Sequence, residues 1–143
     1  MFFFVAAALV SVVAASSGTP ANSGPVDAGT VQNVAVYELD AAKCPSLIDK
    51  DGRVCGAVRK FDLKSIDRAR ALSLVNDNLK GAPKSCLQKA QHAFVFETTK
   101  GLRVVDVNFA CHALGGRALA NKSEREIAGF MRLYGLVNGL GGL

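Results

Sequence analysis

Four cysteines, Cys44, Cys55, Cys86 and Cys111, limit most strongly how this 143-residue chain can fold. In a chain that carries a secretion signal, an even number of cysteines implies a disulfide framework. Such a signal is legible at the start. Residues 1–26 carry no charged side chain. The run from Phe2 to Val10, continued by Val12-Val13-Ala14-Ala15, is shorter than the roughly 20 residues of a membrane-spanning helix. Small residues follow it, as they do at a cleavage site. Cleavage is expected after Ala15 or after Ala21, so residues 1–21 are the expected signal peptide, although the n-region lacks Lys and Arg. Residues 22–29 belong to a stretch rich in Ser, Gly, Pro, Thr and Ala, which cannot bury enough surface to offset ordering. They are expected to be a flexible leader. A single domain is then expected over residues 30–138, with a flexible tail over 139–143.

Four cysteines allow three connectivities, and turn signals favour one of them. Cys44 and Cys55 flank Asp49-Lys50-Asp51-Gly52, and Cys86 and Cys111 flank Thr98-Thr99-Lys100-Gly101. The expected bridges are therefore Cys44–Cys55 and Cys86–Cys111, each stabilising by about 3 kcal/mol through the unfolded state. A zinc site needs close pairs such as C-x-x-C, and the chain has none.

Hydrophobic pattern supplies the elements. Gln32–Leu39 reads as a strand, and Arg53–Phe61 as a second, weaker one. A helix follows, capped by Asp62 or Ser65, with Ile66, Ala69, Leu72, Val75 and Leu79 as its apolar strip. Lys80 ends it, Gly81 supplies a left-handed residue after the last turn, and Pro83 blocks continuation. A hairpin then sets Phe94 and Phe96 on the same face as Val105, Val107 and Phe109, with Gly101 in a turn position of positive φ. The last helix opens on Ser123-Glu-Arg-Glu126, a capping box. Ile127, Phe130, Met131, Tyr134 and Val137 then share one arc. Strand, strand, helix, hairpin, helix is an α+β order. It predicts a small antiparallel sheet of about four strands packed against two helices.

Charge is uneven. Nine of the basic residues and only three acids lie between Arg53 and Lys89, although the whole chain carries +5. Lys60, Lys64 and Arg68 continue along one side at helical spacing and form a candidate partner-binding face. Its partner would be an extracytoplasmic protein or an anionic ligand. Nucleic acid is a weaker candidate, because no aromatic residues interleave with the basic ones.

Few residues can carry chemistry. His92 and His112, the two histidines, fall at the open end of the hairpin, within about 10 Å of each other by strand spacing. One neutral and one protonated imidazole, with a lysine, are what acid–base cleavage of RNA needs. A metal site from both histidines and Asp106 has no supporting spacing. No nucleophile elbow, haem-attachment motif or cofactor motif occurs, and oxidised cysteines offer no thiolate. Asn121-Lys122-Ser123 is a glycosylation sequon, relevant in a eukaryotic host. Gly115-Gly116 is too isolated to cradle a phosphate, and Asn76-Asp77-Asn78 reads as a polar cluster ending a helix.

Leu74-Val75-Asn76-Asp77, Cys86, Ala93-Phe94-Val95-Phe96, Gly101, Val104-Val105-Asp106-Val107 and Cys111 occur in this order. The succession resembles small extracytoplasmic bacterial proteins of unknown function. Those carry an Asn-Asp helix end, a cysteine, an apolar hairpin and a cysteine at the strand exit, often two close together where this chain has Cys111 alone. The resemblance spans a third of the chain and implies no activity. The function expected is a secreted or periplasmic, non-enzymatic binding or inhibitor-type module with no cofactor and no metal. The alternatives are a small nuclease-like hydrolase using His92 and His112, and an envelope accessory protein whose partner meets the Phe130/Tyr134 helix.

Overall fold

A computed structural model describes residues 24–136. The expected signal peptide, Val137 and the tail lie outside the described residues. The chain runs β1 (Val31–Leu39), β2 (Ala57–Asp62), α1 (Ser65–Asn78), β3 (His92–Thr98), β4 (Gly101–Asn108), β5 (Ala113–Leu114), β6 (Arg117–Ala118) and α2 (Asn121–Leu133). One antiparallel sheet takes the order β2-β1-β3-β4-β5-β6. The fold is α+β, with six strands where about four were expected. The two extra strands have two residues each and show no periodicity. What makes them is Gly115-Gly116, with φ of 56° and 75°, the pair of positive values that a tight two-residue hairpin turn requires.

Strand alternation divides the side chains between two faces. Val34, Val36, Phe94, Phe96, Val105, Val107 and Leu114 form one, buried under Ala71, Val75 and Leu79 of α1 and its end and under Ile127, Phe130 and Met131 of α2. This is the core, and both helices lie over it. The other face buries Ala35, Leu39, Ala93, Val95 and Asn108. Near its end lie the Cys44–Cys55 loop and the segment before β3, tied by Lys89 Nζ donating to the Cys44 carbonyl at 2.6 Å.

The β3–β4 hairpin closes in register, with Phe94 opposite Val105 and Thr98 opposite Gly101. Gly101 has φ of 115°, as its turn position demands, and Phe109 lies just past the end of β4, partly buried against the core. Both disulfides join the expected partners, Cys44–Cys55 and Cys86–Cys111.

Several local expectations give way to tertiary contacts. β2 begins at Ala57 and not at Arg53. The residues before it are taken by a turn in which Asp49 Oδ1 accepts from the N–H groups of Asp51 and Arg53. On α1, Ile66 is exposed while Ala71 is buried, so the packed strip is rotated from the expected one. Leu63, just before the helix, enters the core and sets that rotation. Lys64 is the N-cap of α1, and neither Asp62 nor Ser65 caps it. Gly81 is absent from the residues of positive φ. Its lack of a side chain serves a close approach instead, since a Cβ there would lie 2.8 Å from the Ala118 carbonyl oxygen. α2 starts at Asn121, ahead of the expected capping box, with Ala120 as N-cap and no side-chain cap. The packed structure also reaches back into the expected leader. Val26 is buried, and its N–H and C=O are both held by the Asn76 side-chain amide, at 2.7 and 2.9 Å.

Replacing Cys86 and Cys111 together by serine is expected to lower the unfolding free energy by about 3 kcal/mol. The matching change at Cys44 and Cys55, which closes a shorter loop, should lower it less. Urea denaturation of both variants measures the difference.

Candidate functional site

The stapled end of the β3–β4 ribbon holds the most unusual local chemistry. Asn108 ends β4 and is buried. Its Nδ2 donates to the Gln88 carbonyl at 2.8 Å, and its Oδ1 accepts from the Cys111 N–H at 3.0 Å. The chain between Asn108 and β5 is thereby turned sharply and pinned by the Cys86–Cys111 bridge. His112 completes the turn with φ of 56°. Among the described residues it is the one non-glycine with a left-handed backbone, a conformation that survives only where its surroundings hold it in place. The holding bonds are visible: the His112 carbonyl accepts from the Leu119 N–H at 2.8 Å, and Nδ1 meets Glu124 Oε2 at 2.6 Å.

Glu124 is 1% exposed. Its other oxygen, Oε1, is buried with no hydrogen-bond partner among the described residues. Glu124 thereby occupies Nδ1 of His112, and Nε2 is the ring nitrogen left for a ligand. The His112 side chain is 53% exposed, which leaves that nitrogen within reach of solvent. A buried carboxylate that orients a half-exposed imidazole is an arrangement found where proton transfer or ligand binding is organised.

His92 sits differently. It opens β3 on the core face, opposite Val107. Its ring meets Phe109 edge-on at 5.4 Å, and its Nε2 donates to the Leu136 carbonyl at 3.1 Å. Burial lowers its pKa below the ordinary 6.5, opposed in part by the Leu136 bond, so the ring favours the neutral form. Both histidines border one open cleft of 760 Å³, together with Glu124, Lys89, Asn108 and Phe109. The two imidazoles expected to gather at the ribbon end therefore share a cleft.

Asp106 does not join them. It pairs with Ala93 and faces away from the core, on the side of the sheet opposite His92. Burial raises its pKa. Among the described residues, no group of three or more His, Cys, Asp or Glu side chains is placed to hold a metal ion.

The basic residues are distributed otherwise than expected. Lys60 lies on β2, near Asp62 at 3.6 Å and the Tyr37 ring at 6.0 Å. Lys64 precedes α1, and Arg68 lies on it with Nε donating to the Leu63 carbonyl at 3.3 Å. The run crosses from strand to helix, so only Lys64 and Arg68 keep helical spacing. The Phe130/Tyr134 face of α2 turns inward: Phe130 is buried, and Tyr134 packs on the core with its hydroxyl bonded to Asp67.

Glu124, Asn108 and Lys89 had no role in the sequence reading. For Glu124 the signal was present, since it lies on the same helical arc as Ile127, Ala128 and Met131 and so occupies a core position. No known protein family, curated protein or solved structure matches this chain.

His112→Ala strands the Glu124 carboxylate and should cost about 2 kcal/mol of stability. Adding Glu124→Gln should recover part of it, and urea unfolding of the single and double variants measures both. The folded pKa of His92 is depressed, so its contribution is present above pH 6.5 and is lost as pH falls through its folded value. Melting temperature should therefore drop between about pH 7 and pH 5, less steeply in His92→Gln.

Proposed function

We propose that this protein is an extracytoplasmic, non-enzymatic binding module that takes an anionic ligand in the histidine cleft. The observation that carries the reading is His112, held in a left-handed turn with its Nδ1 on buried Glu124 and with Nε2 unpaired among the described residues, where a ring carrying a hydrogen on Nε2 donates it to an anion. Lys89 borders the same cleft and supplies a further donor. Two disulfides support a secreted or periplasmic setting, where thiols oxidise. Among the described residues no helix is long and apolar enough to cross a membrane. Lys60, Lys64 and Arg68 enter this reading as outer positive charges that draw an anion in.

A second reading is favoured by one observation. His92 is pushed toward its neutral form while His112 is oriented by a carboxylate, and imidazoles in contrasting settings suit acid–base hydrolysis of a phosphodiester. An envelope accessory role remains a third proposal, with its contact surface elsewhere than on the inward face of α2.

A fluorescent single-stranded RNA oligonucleotide separates these readings. Binding without cleavage, weakened about tenfold by His112→Ala or Lys89→Ala, is the expected result. Cleavage that disappears in folded His112→Ala would transfer the assignment to the hydrolase. Binding lost only on charge reversal at Lys60, Lys64 and Arg68 would move the site to that surface. No binding of RNA or of a polyanionic saccharide would remove the anionic ligand.

A further inference from the structure

A second cavity, of 340 Å³, shares no lining residue with the histidine cleft. It lies along the part of β4 that no strand covers among the described residues. β5 pairs only with Val107 and Asn108, so among the described residues the preceding residues of β4 have a strand neighbour on the β3 side alone. The Gly115 N–H donates to the Asp106 carbonyl at 2.8 Å, which directs that carbonyl toward the β5 side. By strand alternation the N–H and C=O groups of Val104 and Leu102 point the same way. Among the described residues no backbone group takes them. A strand edge left in this state is a template for another extended chain.

The surroundings of the edge select which chain. Leu47 and Ile48, from the Cys44–Cys55 loop, give the cavity an apolar wall. Arg103 and Arg117 also line it. Neither belongs to an ion pair among the described residues. Arg103 gives Nη2 to the Gly24 carbonyl at 2.5 Å, while its Nε is buried with no partner. Among the described residues the Arg117 side chain makes only a long bond, 3.4 Å, to the Gly81 carbonyl. Arg103 is partly buried with one N–H left unpaired, and the planar fork of a guanidinium matches a carboxylate.

We propose that the free edge of β4 takes the carboxyl-terminal end of an extended peptide, whose carboxylate is held by Arg103 and Arg117. Val104 and Leu102 supply the backbone hydrogen bonds of an added strand, and the Leu47–Ile48 wall takes an apolar last side chain. The cavity is at the small end of the range for ligand sites, about 300–1,000 Å³, which suits the last residues of a chain and not a folded surface. Asp106 lines the same cavity and opposes an incoming carboxylate. Burial raises its pKa and so favours its neutral form.

The test is a pool of short synthetic peptides with an apolar last residue, offered with a free carboxylate or as the carboxamide. The free-acid pool should shift the backbone amide resonances of Leu102 and Val104 and the Nε signal of Arg103. The carboxamide pool should bind about tenfold more weakly. Arg103→Met and, separately, Arg117→Met should reduce the free-acid pool to the carboxamide level, while Asp106→Asn should tighten it. Two substitutions at different sites keep the test open if one impairs folding. Equal binding of the two pools, or no response along β4, would overturn the proposal. So would inorganic phosphate producing the same shifts while the peptides do not. His112→Ala should leave peptide binding unchanged, so failure here is distinguishable from failure of the histidine-cleft reading.

Discussion

The corner between Asn108 and His112 is the constraint on which the rest of this end of the molecule depends. Its geometry is determined several times over. The Cys86–Cys111 bridge anchors it covalently, and the buried Asn108 amide satisfies one backbone group on each side of it. The His112 carbonyl is then taken by Leu119 as the chain enters α2. Bonds of this kind, several to one short turn, allow a histidine to keep a backbone conformation that L-residues seldom adopt. The same turn brings Nδ1 of His112 against Glu124, so the position of α2 and the orientation of the imidazole are coupled.

The sheet assigns different work to its two faces. The helical face is a dry core of Phe94, Phe96, Phe130 and aliphatic neighbours, and it supplies stability. The opposite face is covered in part by loops that the disulfides tie down. Loops are cheap to vary and easy to open toward ligand, provided something rigid holds their ends. Here the rigid parts are the two bridges and the amide contacts at Asn108 and Lys89. The cleft and the β4 edge therefore form where regular pairing stops.

Wherever a signal was local and repeated, the sequence was informative. The hairpin was legible because Phe94, Phe96, Val105 and Val107 alternate about a turn whose Gly101 has the expected positive φ. The bridges were legible because each cysteine pair flanks a turn. The Gly115-Gly116 hairpin was passed over although its turn chemistry was in view, because strands of two residues leave no pattern on either side. Ser123 and Glu126 matched a capping box, yet the helix begins earlier, because burying Glu124 against His112 and packing Ile127 on the sheet outweigh a cap worth about 1 kcal/mol. Lys60, Lys64 and Arg68 have helical spacing on paper, but Lys60 is already committed to β2.

By itself, then, the chain determined its α+β order, its disulfide partners and the gathering of His92 and His112 near the ribbon's open end. Each of these follows from spacing along the backbone and from the small set of conformations a backbone allows. Only the tertiary structure decided that Glu124 would be buried as a partner of His112, that Asp106 would lie on the side of the sheet opposite His92, and that Arg103 and Arg117 would share a cavity beside a strand edge left unpaired among the described residues. Those outcomes depend on which face each residue presents once the sheet has its register, and on how distant segments meet across it. Neither can be read from a residue's neighbours in sequence.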